Sequence, residues 1–146
     1  MSAPVSSSGD SGSPLVAVDV RMWRHSGIGR YIREVVPRVA EQLPGVRWRL
    51  VGPPPGAWRH GIAGAEDFAC DWPVYSWREH CAGLPGMKRA EVRWVPHYNV
   101  TPGRWGRLVV TLHDLLPLRF AEGWRGRVRR LVVRRYLTRA EKAVRV

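Results

Sequence analysis

Leu15-Val16-Ala17-Val18-Asp19-Val20 is a nearly unbroken apolar run, and its reading decides the fold. A strand covered on both faces of a parallel sheet has this composition, whereas a half-exposed strand alternates. Arg24-His25-Ser26-Gly27-Ile28-Gly29-Arg30 follows, a loop with two glycines. Beyond it Ile32, Val35, Val36, Val39, Ala40 and Leu43 recur at threes and fours, so a helix is predicted with its apolar stripe turned inward. Ser26 is placed to cap that helix and Pro44-Gly45 to stop it. Pro37 conflicts with the period and predicts a kink or a local adjustment.

Working outward, residues 46–51 alternate as a second strand, and residues 52–64 form a Pro/Gly-rich loop. A short third strand is expected within residues 68–75, limited by Pro73. Ser76 then caps a short helix that reaches about Leu84. Residues 91–96 and 107–112 read as strands, each ending in a polar cluster. Residues 124–142 carry Val128, Leu131, Val132, Tyr136, Leu137 and Ala140 on one side of a predicted helix, with arginines around them. Residues 143–146 read as the opening of a further strand, so the chain is expected to stop short of a second domain. Strand–helix alternation of this kind predicts an α/β fold built on a layered, mostly parallel sheet with helices on both faces.

The chain has 146 residues, 45% of them hydrophobic, which suits one folded domain over residues 15–146. Residues 1–14 are rich in Ser, Gly and Pro and read as a flexible leader, with no basic flank or apolar core for a signal peptide. No run approaches the roughly 20 apolar residues of a membrane span, so a cytoplasmic protein is expected. Cys70 and Cys81 lack metal-ligand spacing and are expected to be reduced and buried. The net charge of +12 favours an anionic partner without choosing among nucleic acid, lipid head groups and phosphorylated small molecules.

Three clusters fall at predicted strand ends, where ligands gather in open parallel sheets. They are the glycine loop, Pro96-His97-Tyr98-Asn99, and Thr111-Leu112-His113-Asp114. Amides of Gly27 and Gly29 at a helix start suit phosphate. A dinucleotide fingerprint is incomplete, since Ile32 stands at its third glycine and no acidic residue ends the second strand, and there is no P-loop Lys-Ser/Thr pair. The loop equally fits a tight turn without a ligand. His113 beside Asp114 can donate to a sugar hydroxyl or phosphate, or simply cap the next turn. His97 and Asn99 can line an acceptor pocket with Tyr98 as a stacking surface, or anchor their loop through Asn turn chemistry. His25, His60 and His80 carry no assigned role. The basic helix suits either an anionic bilayer or a solvated charged face whose apolar stripe packs onto the sheet.

The ordered set Val18-Asp19-Val20-Arg21-Met22, Ser26-Gly27-Ile28-Gly29-Arg30-Tyr31, Tyr75-Ser76-Trp77-Arg78-Glu79, Pro96-His97-Tyr98-Asn99 and Val109-Val110-Thr111-Leu112-His113-Asp114 resembles the N-terminal domain of family 4 glycosyltransferases. The resemblance runs from about Leu15 to the chain end. It implies a GT-B architecture of two Rossmann-like domains, of which this is the acceptor-side one, inactive alone. It further implies transfer of a sugar from a nucleotide-sugar donor with retention of configuration, without a required metal or other cofactor. By the same resemblance Gly27, Gly29 and Arg30 face the donor diphosphate, and His113 reaches the transferred sugar as the catalytic residue. His97 and Asn99 lie toward a carbohydrate or lipid-linked acceptor. Peripheral contact with an anionic membrane at the inner face is implied, and nucleic acid is not expected. The alternative is a basic Rossmann-like module that binds nucleic acid or an anionic surface.

Overall fold

The computed structural model describes residues 12–58, 60–74, 76–97, 99, 106–113, 131, 134, 135 and 138. Five strands form one sheet, all parallel, in the order β3-β2-β1-β4-β5. They are β1 (Leu15–Asp19), β2 (Arg47–Gly52), β3 (Glu66–Ala69), β4 (Val92–Val95) and β5 (Arg107–Val110). The helices are α1 (Gly27–Gln42), between β1 and β2, and α2 (Trp77–Ala82), followed by a 3-10 turn (Pro85–Met87) before β4. This is the Rossmann-like α/β arrangement that the apolar first run predicts.

β1 is central, and every residue in it is buried, as its composition requires. Its alternation divides the core in two. Val16, Val18 and Val20 point to one face, where Trp48, Leu50 and Trp94 meet the stripe Ile32, Val36 and Ala40 of α1. Leu15 and Ala17 point to the other, against Val51, Cys70, Leu84 and Met87. The 3-10 turn lies so close there that a Cβ on Gly86 would overlap the side chains of Val51 and Phe68. α1 runs through Pro37 as one helix. The Glu91 carboxylate accepts the Leu15 N–H at 2.7 Å, tying the start of β1 to the approach to β4.

Four expectations need correction. β3 begins at Glu66 and ends at Ala69, ahead of the expected span. It is an edge strand whose outer positions are polar, so its apolar signal is weak; Glu66 instead pairs with Arg49 at 2.8 Å across the register. Ser26 makes no side-chain cap, and its backbone is already helical. Cys70 is buried but Cys81 is exposed, and both are free. Leu131 lies in a helical segment yet is 68% exposed, so it does not pack on the sheet as its position in the stripe predicts. Most of the expected helix over residues 124–142, the strand over 143–146 and most of the leader lie outside the described residues.

Candidate functional site at the carboxyl rim

In this strand order the chain leaves β1 toward β2 on one side, and the crossover from β3 returns to β4 on the other. The boundary between β1 and β4 is therefore the topological switch point, where the two connections part and leave a crevice. The segment after β1 and the segment after β4 meet at that boundary.

Period-two alternation puts Asp19 and Arg21 on the Ala17 face, and His97 follows β4 on that same side. Asp19 is 1% exposed and accepts four hydrogen bonds. Its Oδ1 takes the Arg21 backbone N–H at 3.1 Å and Arg21 Nε at 2.9 Å. Its Oδ2 takes Arg21 Nη2 at 2.7 Å and His97 Nε2 at 3.2 Å. Both lone-pair sites on each oxygen are filled. Burial alone would raise the Asp19 pKa. Hydrogen bonds from His97 and Arg21 outweigh it and hold the carboxyl well below the usual range.

Arg21 has a second anionic partner. Its Nη2 also reaches Glu79 Oε1 on α2, and its Nη1 donates to the Trp72 carbonyl at 3.0 Å. Burial would lower its pKa, but the two carboxylates raise it above its ordinary value. Ser76 Oγ accepts the Glu79 N–H at 3.4 Å and so caps the start of α2, which sets Glu79 on the helix side facing the sheet. Glu79 Oε1 receives Asn99 Nδ2 at 2.8 Å, and the Asn99 N–H donates to His97 Nδ1 at 3.1 Å. That last bond leaves Nδ1 unprotonated, so Nε2 carries the proton that His97 gives to Asp19.

His97 and Asn99 are both 0% exposed. Sequence reading puts them toward an acceptor; the fold turns their polar groups inward, onto Asp19 and Glu79. Asn99 Oδ1 has no partner among the described residues. Tyr98 and Asp114 lie outside them.

The third cluster joins the same rim. His113 Nε2 donates to the Pro96 carbonyl at 2.9 Å, and its ring stands edge-on to Tyr31 at 4.9 Å between centroids. The Tyr31 hydroxyl lies 3.3 Å from Thr111 Oγ1, which also accepts Trp94 Nε1 at 3.2 Å. The second turn of α1, the end of β4 and the end of β5 thus share one cluster of contacts. His113 is exposed. With Nε2–H committed to Pro96, a neutral His113 offers Nδ1 as an acceptor and not the donor that its sequence position suggests.

The two loop glycines differ. Gly29 is buried, and a Cβ there would collide with the carbonyls of Trp23 and Met22. Gly27 is exposed, with nothing within 4 Å of an added Cβ. The Arg30 N–H makes its helical bond back to Ser26 at 3.3 Å, so the amides of Gly27, Ile28 and Gly29 precede the first helical hydrogen bond. Arg30 is exposed beside them. Among the described residues no group of three His, Cys, Asp or Glu side chains is disposed to hold a metal ion, and no helix is long and apolar enough to cross a membrane.

Sequence reading missed the Arg21–Asp19–Glu79 hub as a unit. Asp19 inside an otherwise apolar run, with Arg21 two positions on and therefore on the same face, is the signal that points to it. No protein-family model matches the chain, and neither the curated proteins nor the solved structures contain a match.

Proposed function

We propose that this chain is the acceptor-side domain of a retaining glycosyltransferase that uses a nucleotide-sugar donor and works with a second α/β domain holding most of that donor. The observation that carries the reading is the meeting of the α1 amino terminus, the end of β4 and His113 at one rim, beside the switch point. Departure of a nucleoside diphosphate develops negative charge. The amides of Gly27 to Gly29, the positive end of α1, and Arg30 would stabilise that charge without reorganising. His113, with its N–H held by Pro96, would accept a hydroxyl of the transferred sugar on Nδ1. His97 and Asn99 would act from beneath, fixing the loop that carries the Pro96 carbonyl on the acceptor side. A carbohydrate or lipid-linked acceptor fits a cytoplasmic enzyme whose net charge of +12 suits an anionic membrane face.

The test is transfer of radiolabelled sugar by the full natural protein from UDP-, GDP- and ADP-sugars, with the product anomer read by NMR. Retained configuration and a loss of at least about tenfold in His113→Ala are expected, since one hydrogen bond to the reacting sugar is worth about 1.5 kcal/mol. No transfer from any donor, together with salt-dependent retention on DNA, would replace this reading with a nucleic-acid-binding module.

A further inference from the structure

A cavity of about 520 Å³ opens beside this rim, between the carboxyl ends of β1, β2 and β3. Its walls include Met22, Trp23, Pro53, Trp72 and Val74, with Asp71 and His25 as polar groups. The size lies within the roughly 300–1,000 Å³ of small-molecule sites, which combine apolar walls with a few fixed polar groups. The walls are held in place. Trp23 stacks on Trp58 at 6.1 Å with the rings 17° apart, and the Trp72 backbone is gripped by Arg21 at 3.0 Å.

The charge of the lining selects the ligand. In a chain of net charge +12 an anion is the first expectation, yet Arg21 at the cavity is already matched by Asp19 and Glu79. Asp71 adds a negative charge at the mouth. Burial pushes the Cys70 thiol up, so that part of the wall is uncharged. A phosphate or carboxylate entering here would find no uncommitted cation on Arg21 and would meet an opposing carboxylate. A neutral ring with an apolar face and several hydroxyls suits all of it: the face on indole, the hydroxyls on carboxylate and imidazole.

We propose that this cavity binds an uncharged glycosyl ring, with Trp72 as its stacking wall and Asp71 as its hydroxyl acceptor. The assignment of that ring as the acceptor rests on the reading given under Proposed function; the binding itself does not. Because Arg21 joins Trp72 to Asp19 and Glu79, an occupant would also bear on the hub that orients His97 and Asn99.

The experiment is a titration of the ¹⁵N-labelled chain with D-glucose, D-mannose and D-galactose, and separately with sodium phosphate, read by amide chemical shifts. At least one sugar should shift the amides of residues 22–25 and 70–74, and phosphate should leave those of residues 70–74 in place. Asp71→Asn and Trp72→Ala should each weaken that sugar at least tenfold, with Trp72→Phe retaining binding and serving where the alanine variant does not fold. No response to any of the three sugars, or phosphate moving the amides of residues 70–74, overturns the proposal. Sugar binding without any transfer by the full protein would sink the glycosyltransferase reading and keep the site. Transfer with an acceptor KM unchanged in Asp71→Asn would do the reverse.

Discussion

Arg21 grips Asp19 through two nitrogens, Nε to Oδ1 at 2.9 Å and Nη2 to Oδ2 at 2.7 Å, and both side chains are at least 96% hidden from water. The pair is the keystone between the switch point and α2. Asp19→Asn keeps the shape but leaves Arg21 with one carboxylate instead of two. Removing one partner of a buried ion pair costs about 3–5 kcal/mol, and a fall of that size in urea-unfolding free energy is expected. A loss below about 1 kcal/mol would show that Glu79 and the Trp72 carbonyl suffice for Arg21.

Acid should expose the same carboxyl. The folded-state pKa of Asp19 is depressed below its unfolded value of about 3.9, so its stabilisation is complete above that pH. It drains away as pH falls from there toward the folded value. In Asp19→Asn the acid-unfolding curve should therefore be flatter below about pH 4, with the two proteins converging in stability as pH drops. Parallel curves through that window would assign acid sensitivity to other groups.

The paired glycines predict opposite outcomes from one substitution. Gly29→Ala forces a methyl into the Trp23 and Met22 carbonyls and should destabilise by about 1–3 kcal/mol, as overpacking does. Gly27→Ala meets open space and should be neutral, or stabilising by up to about 1 kcal/mol through the unfolded chain. Thermal unfolding of the two variants side by side decides the matter. Gly27→Val in the full natural protein should then lower transfer without lowering stability; if transfer is unchanged, the loop has no part in it.

Thr111 offers a smaller but sharp test. Its hydroxyl accepts the Trp94 indole N–H at 3.2 Å and meets the Tyr31 hydroxyl at 3.3 Å. Thr111→Val removes that bridge, and a part-buried indole N–H left without an acceptor costs about 1–3 kcal/mol. Tyr31→Phe leaves the indole bond intact and should cost no more than about 1 kcal/mol. Equal losses in chemical denaturation would show that the bridge works as one unit.

Much of the sheet was legible because β1 carries its position in its composition: a run buried on both faces belongs in the middle. Strand ends were legible from the polar clusters that stop each run, and with them the rim. What escaped reading had competing signals. Glu66 and Asp67 look like loop residues because an edge strand can afford charge. Ser76 to Glu79 has the spacing of a helix cap, which conceals that Glu79 also reaches inward to Arg21 and Asn99. His97 and Asn99 were legible as a pair near the site, but their direction was not. Whether a polar side chain faces a ligand or a buried carboxylate depends on Asp19, which lies 78 positions from His97 along the chain.

That separation also governs how the molecule assembles. β1 pairs with β2 after a single intervening helix, but its other edge waits for β4, and the Leu15–Glu91 bond spans 76 positions. The β1–α1–β2 unit can close early, because its loop entropy is small. Until β4 arrives, one whole edge of the central strand and the charged face of Asp19 stand open. Refolding should therefore show α1 acquiring amide-exchange protection before β4, and molecules caught in between would be the ones that self-associate.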